Sequence, residues 1–474
     1  MTCARAGTLP GRRPWDAPTT GNRQLDPRME TSLAMTALED YGTGLSTGLE
    51  QTVSESIQTG FHEADLTIFP EEREILRKLA ERVATLAALP EMREKRELWR
   101  RHNRLEKTRP VIFCDPENGW NEIITERQMR CRTKIARRWE MNLRKEIFWG
   151  ELMGDDRPVE ACFNVPYTCS ADCWGAEIKY HKPEQLGSYV WESPVRNYST
   201  DLGRIHPLTF EIDWAVSKAC YELASEIFRG ILTVRQKGTW WWSLGITYPA
   251  ILLRGMQNIY TDFRDYPDEL RQLFSIILQG HMNKLDYLEE NNLLSLNNDG
   301  TYVGSGGYGY TDELPQSDFN GRVRCKDMWG FTESQESVGV SPKMYEEFIF
   351  PFEKPIMDRF GLTCYGCCEP VHTRWHVVKR HHRLRRVSCS AWANLEMMAG
   401  YLQDDFILSL KPNPAVLAVP SPDWGAIRSY LRKAVELGRG CCLEIIMKDN
   451  HTLACHPEHA VEWVRIAKEV AAND

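Results

Sequence analysis

The first 60 positions are rich in Gly, Thr, Ser and Pro and show no apolar period. A segment with no apolar face to bury has nothing to offset the entropy of ordering, so residues 1–60 are expected to form a disordered or loosely attached leader. From "FPEEREILRKLAERVATLAAL" onward apolar residues recur at helical spacing. Pro70 suits the first turn of that helix, and Glu71 and Glu72 suit its positive end. The pattern continues through "EKRELWRRHNRLEK" and then changes period. "RPVIFCDPENGW" reads as a short buried strand, Val111 to Cys114, running into a polar loop. Further short strands are expected in "VEACFNVP", "TWWWSLGITYP", "NNLLSLNND", "VRCKDMWGFTE", "GLTCYGC", "RRVSCSAW", "DFILSLKPNP" and "CCLEIIMKDN". Helical stretches lie between many of them, and the last four alternate with helices in regular order.

Strands alternating with helices imply a parallel sheet covered on both faces. The expected strands end in Asp115, Asn164, Asn297, Glu333, Cys367, Ser390, Lys411 and Lys448. Polar residues at the C-terminal ends of strands are the layout of a (β/α)8 TIM barrel, whose site is built from the loops that follow the strands. The reading is therefore an α/β chain with residues 61–474 as a TIM barrel, opened by an N-terminal helical extension. An open doubly wound sheet alternates in the same way and stays as the alternative. "GSGGYGY" (304–310) has the glycines of a nucleotide loop, but no helix follows it, so it is expected to be a flexible active-site loop.

Net charge changes the picture by exclusion. The chain of 474 residues carries a net charge of -8, which disfavours general binding to phosphate backbones. One basic run, "RWHVVKRHHRLRR" (374–386), departs from that balance and reads as a solvated helix face or an anion-binding rim. No run of about 18 apolar residues is present, so no membrane span is expected. The start lacks the apolar core of a secretory signal, and 15 cysteines in such a chain point to a reducing cytoplasm, most of them as small buried hydrophobes.

Three groups of residues carry candidate chemistry. "CYGCCEPVH" (364–372) offers thiolate, carboxylate and imidazole: Cys367, Cys368 or Glu369, and His372, joined by His451 from the next loop. Zinc takes all three donor types, and an open catalytic site needs three protein ligands. A metal-free polar substrate site and a structural turn are the alternatives. Cys367 and Cys368, as neighbours, are expected to point apart. Paired acids form the second group: Asp115 with Glu117, and Glu333 with Glu336, joined by Glu369. Burial or a like-charged neighbour raises a carboxyl pKa into the range useful for general acid–base work. The third group is cationic and polar: Lys411, Asn413, Lys448 and His451, suited to a substrate carboxylate or to ion pairs with the acids. Asn164, Asn297, Tyr365 and Trp242 are further candidate substrate contacts. Strand alternation would send Trp240 and Trp242 one way and Trp241 the other.

The stretches "MWGFTESQESVGVSPKMYEEFIFPFEKPIMDRFGLTCYGCCEP", "VSCSAWANLEMMAGYL", "FILSLKPNPAVLA" and "LEIIMKDNHTLACHPEHAVEWVRIAKEV" resemble the uroporphyrinogen decarboxylase superfamily. The resemblance covers roughly residues 65 to 470 and is strongest after 325. It implies a TIM barrel and either decarboxylation or zinc-dependent methyl transfer to or from a corrinoid or thiol. The chain departs from the pattern in several places. "RRHNRLEKTRPVIFCDPENGW" lacks the family's glycine- and arginine-rich loop for substrate carboxylates. Tyr365 stands where the zinc methyltransferases have His, and Lys448 to His451 contain no Cys. Cys367 alone matches their metal positions residue for residue.

The resulting expectation is a methyl-group transferase using a metal-activated thiol, with zinc as cofactor, or a corrinoid partner protein. A cofactor-free decarboxylase or other lyase acting on a carboxylated small molecule is the alternative, and a non-catalytic small-molecule or corrinoid binder is a third. A homo-oligomer is compatible with each. Asp115, Glu333, Cys367, Lys411 and His451 are expected to converge on one cavity. Cys367→Ser and Glu369→Gln are expected to abolish turnover while barely changing stability.

Overall fold

The structure is a computed structural model that describes residues 61–172, 174–181 and 190–472; the leader expected at 1–60 lies outside them. The described strands are β1 (Val111–Cys114), β2 (Cys162–Val165), β3 (Thr168–Ala171), β4 (Lys179–His181), β5 (Val190–Glu192), β6 (Phe210–Asp213), β7 (Thr233–Gln236), β8 (Trp329–Thr332), β9 (Leu362–Tyr365), β10 (Leu384–Cys389), β11 (Ile407–Leu410) and β12 (Cys442–Met447). Six of them form one parallel sheet in the order β1-β12-β11-β10-β9-β8. Helices Phe350–Met357, Leu395–Leu402, Trp424–Leu437 and Glu458–Ala472 punctuate the second half of this sheet.

The expected eight-stranded closed ladder is not formed among the described residues. "TWWWSLGITYP" and "NNLLSLNND" run beside β8 without becoming strands. Leu244 N–H donates to Phe331 O at 3.0 Å. The Asn297 side chain brackets Trp329, donating to its carbonyl at 3.0 Å and accepting from its N–H at 2.9 Å. A side chain thus takes the place of a backbone ladder. β2 pairs in parallel with β7, outside the main sheet.

Period-two alternation gives the sheet two unlike faces. Val387, Cys389, Leu408, Leu410, Leu443, Ile445 and Met447 join the main core. The residues between them in sequence include Arg386, Ser388, Ser409 and Glu444, all buried. A sheet face this polar is stable only where its groups bond one another. Arg386 Nε donates to Glu444 Oε1 at 3.0 Å, and His102 Nε2 lies 3.0 Å from Glu444 Oε2. Burial works against ionisation of Glu444, yet Arg386 and His102 hold its pKa down to about 2.

A second core lies between helices Pro70–Ala87, Lys134–Phe148 and Trp214–Ile227, around Trp139, Phe163 and Phe228. Here Glu72 links two helix starts. It accepts from Phe69 N–H at 2.9 Å within its own helix and from Thr133 N–H at 2.8 Å at the next. Burial disfavours the Glu72 carboxylate, but these backbone donors lower its pKa.

Candidate active site

"GSGGYGY" lies across the polar face of the sheet. A Cβ on Gly304 would meet Cys364, and one on Gly307 would meet Arg386 and Glu444. The loop is anchored by Asn103, whose amide donates to the Tyr308 and Tyr310 carbonyls at 2.8 and 2.7 Å. From this loop Ser305 donates its hydroxyl to Cys367 Sγ at 3.3 Å.

The loops after β8 and β9 bring three acids together. Glu333, Glu336 and Glu369 act electrostatically on one another. Glu333 is 1% exposed; it accepts from Ser243 Oγ at 3.1 Å and from Gln335 N–H at 3.0 Å. Burial, then the charges of Glu336, Glu369 and Cys367, raise its pKa well above the usual carboxyl range. Glu336 accepts from Thr247 Oγ1 at 2.7 Å, and burial pushes its pKa up to about 7. Glu369 differs: Ser334 N–H and Cys367 N–H donate to its two oxygens at 3.0 and 2.8 Å. It ties the β8 loop to the β9 loop. Beside it, Tyr365 OH and Ser334 Oγ are 2.9 Å apart, and Arg374 donates to Ser334 Oγ at 3.1 Å and Ser337 Oγ at 2.8 Å.

A second group forms where β1 and β12 end side by side. Lys448 Nζ is 2.8 Å from Asp449 Oδ1 and 3.3 Å from Glu117 Oε1. Glu117 and Asp449 have φ of 50° and 60°, left-handed values that are rare away from glycine and that gather at functional sites. Asp115 braces the turn, accepting from Glu117 N–H at 3.1 Å and Trp120 Nε1 at 2.9 Å. Burial raises the Glu117 pKa to about 7 against the opposing charge of Lys448. Burial disfavours the Lys448 cation, but Glu117 and Asp449 keep it charged. Lys411, after β11, donates to Ser409 Oγ and, at 3.2 Å, to Ser409 O. Burial, aided by Lys448 and Arg386, lowers its pKa to about 8. Cys367 and Lys448 act on Lys411 electrostatically, so the thiol and both ammonium groups share one neighbourhood.

Other expected site residues lie elsewhere. His451 is exposed, 3.4 Å from Asn118 Nδ2. Asn413 is exposed and accepts from Ala415 N–H at 3.0 Å as a helix cap. Asn164 is exposed on β2, and Asn297 is used up on Trp329. His372 Nδ1 accepts from Asn394 N–H at 3.1 Å. The three tryptophans part company: Trp240 stacks on Tyr167, Trp241 meets Phe360, and Trp242 packs on Phe331 with a buried, unpartnered indole N–H. The basic run divides, with His376, Lys379, Arg380, His382 and Arg383 exposed in and after the short helix Trp375–Val378. Arg374, His381 and Arg386 are buried, while Arg380 and Arg385 pair with Glu346 and Glu313.

The proposed zinc donors do not fit a metal. Among the described residues no three His, Cys, Asp or Glu side chains are arranged to hold one. Both Glu369 oxygens and His372 Nδ1 are occupied by backbone N–H groups, and the contact with Cys368, then burial, raises the Cys367 thiol pKa. Cys367 and Cys368 Sγ lie 3.7 Å apart, contrary to the expected divergence, because both follow the end of β9 where strand alternation no longer applies.

Sequence reasoning missed Ser243, Thr247 and Ser305, which bond the acids and the thiol, and Arg374, which bonds Ser334 and Ser337 beside them. Ser305 carried a signal as the one serine inside the glycine-rich loop, and Arg374 as the start of the basic run.

No family model matches the chain, and no curated protein sequence does. Among solved structures, a methyltransferase from Methanosarcina mazei is similar at a TM-score of 0.45 and 12% identity, over 80% of this chain and 97% of that one.

Proposed function

We propose that this chain is an enzyme acting on a small carboxylated molecule, with Glu333 or Glu336 delivering a proton at the C-terminal ends of the parallel strands. The observation that carries the reading is the buried Glu333–Glu336–Glu369 group, in which one carboxylate is fixed by two backbone N–H bonds and the other two are pushed toward neutrality. Environments that separate the pKa values of neighbouring groups assign acid and base roles. A carboxylic acid that is still protonated near pH 7 donates where an ordinary glutamate cannot.

The reading draws on the resemblance to the uroporphyrinogen decarboxylase superfamily for its reaction class. In the carboxy-lyase form the acid protonates the carbanion left by carbon dioxide. In the methyl-transfer form it protonates the group that loses the methyl. Both need the same donor. A step through a zinc-bound thiol is not part of the proposal, because the donors it needs face other partners.

The test is turnover of carboxylated substrates by Glu333→Gln and Glu336→Gln, following carbon dioxide release and methyl transfer to a thiol separately. Loss of one general acid is expected to lower kcat by about 10²- to 10⁴-fold with the folded state retained. Full activity in both variants would overturn the acid assignment.

A further inference from the structure

Two buried lysines follow neighbouring strands, and their surroundings divide them. Lys448 is held between Asp449 and Glu117 as a fixed cation. Lys411 is 6% exposed and forms no ion pair among the described residues; its hydrogen bonds go to the hydroxyl and carbonyl of Ser409. The Ser409 hydroxyl in turn donates to Glu444 Oε1, so its lone pairs are turned toward Lys411. Glu444 already has Arg386 and His102 as partners and does not need the Lys411 charge.

We infer that Lys411 is the nucleophile of this site and forms a Schiff base with the carbonyl of a β-keto acid. The inference rests on the reading of the site as an acid–base centre and names its substrate class. An amine attacks a carbonyl only when unprotonated, and a desolvated lysine near other cations is the standard way to obtain one. Glu444 on β12 favours the cation, while Lys448 after β12 and Arg386 on β10 oppose it. The thiols of Cys364, Cys367 and Cys389 complete the surroundings. Burial decides the balance, and the pKa falls to about 8.

The step balances without an outside oxidant. Lys411 Nζ bonds to the carbonyl carbon, and the carbonyl oxygen leaves as water. The protonated imine accepts the electron pair released when the bond to the carboxylate breaks and carbon dioxide departs. The enamine carbon then takes a proton from Glu333 or Glu336. Water hydrolyses the imine, and a ketone and free Lys411 return.

Reductive trapping tests this without relying on turnover. The full chain is incubated with acetoacetate and sodium cyanoborohydride, and adducts are mapped by peptide mass spectrometry. With a pKa near 8, Lys411 holds about 10²-fold more free amine at pH 7.5 than an ordinary lysine, so its labelling is expected to exceed that of any other lysine by about tenfold or more. Labelling of Lys411 in the unmodified protein is expected to rise with pH to a half-point near 8. The adduct should vanish in Lys411→Met and Lys411→Arg, with folding checked by circular dichroism. Absence of a Lys411 adduct in the unmodified protein, or adducts spread evenly over exposed lysines, overturns the inference. Trapping on Lys411 alongside full turnover in Glu333→Gln and Glu336→Gln would instead remove the acid assignment and leave the nucleophile.

Discussion

Glu369 shows what burial does to a residue that the sequence marks as chemical. Its carboxylate is fully buried, and both oxygens accept backbone N–H groups from two different loops. Glu369→Gln would turn an amide NH2 toward one of those N–H groups. An unsatisfied buried donor costs about 1–3 kcal/mol, so the variant is expected to lose stability first and activity with it. Urea unfolding beside turnover checks this: unchanged stability with lost turnover would return Glu369 to direct chemistry, as its sequence position suggested. Cys367 has a lighter burden. It accepts from Ser305 Oγ and touches Cys368. Serine keeps a polar partner for Ser305, and Cys367→Ser is expected to stay within about 1 kcal/mol of the parent.

The glycine-rich loop shows how an element is held by what it lies on. Gly307 has φ of 127°, and a Cβ there would stand 3.0 Å from Arg386 and 3.1 Å from Glu444. Gly321 has φ of 98° with nothing within 4 Å of that position. Alanine strains the backbone at both, at roughly 1–3 kcal/mol. At Gly307 it also pushes on the Arg386–Glu444 pair, whose disruption in the interior is costly. Gly307→Ala is therefore expected to unfold at clearly lower urea than Gly321→Ala; equal midpoints would show that the loop does not press on the sheet.

The strands that carry this loop were legible because each is a short apolar run bounded by turn residues. β1, β8, β9, β11 and β12 fall within expected segments, and β10 begins one residue before its own. The segments that did not become strands, around Leu244 and Asn297, are apolar as well. They bond β8 through a single backbone contact and a side chain, which hydrophobic period does not register. β3 to β7 were missed for the opposite reason, since they are short and largely half-exposed or exposed. The acids and lysines of the site were legible as strand ends. Their partners were not, because Ser243 and Thr247 reach the acids only through folding. His451 and Asn413 follow strands too, but His451 is exposed beside Asn118 and Asn413 caps a turn at the surface, a distinction that sequence position does not carry.

Across the whole molecule the buried acids set the response to pH. Burial raises the pKa of Glu336 and Glu117 to about 7, Glu353 to about 8 and Asp155 to about 6. Each holds a proton in the folded state that the unfolded chain releases. The stability such groups contribute is complete below the unfolded carboxyl pKa and is lost as pH rises through the folded one, at up to about 1.4 kcal/mol per pH unit for each proton. Buried His281 and His381 act in the other direction, because burial lowers them to about 4 and about 3, and their contribution is lost on acidification below the usual histidine range. Above about pH 6.5 the histidines no longer matter. Between about pH 6.5 and 7.5 the acids dominate, so stability is expected to fall there; above that Lys411 and Lys284, which burial lowers to about 8, begin to act in the opposite direction. Of the four acids just named, Glu353 titrates highest. Tyr345 OH donates to its Oε2 at 2.7 Å, and its Oε1 has no hydrogen-bond partner among the described residues. Glutamine mimics the protonated acid, so Glu353→Gln is expected to match the parent near pH 6 and to lose less stability by pH 8. Thermal unfolding at half-unit pH steps measures both slopes, and parallel curves would show that Glu353 is ionised throughout.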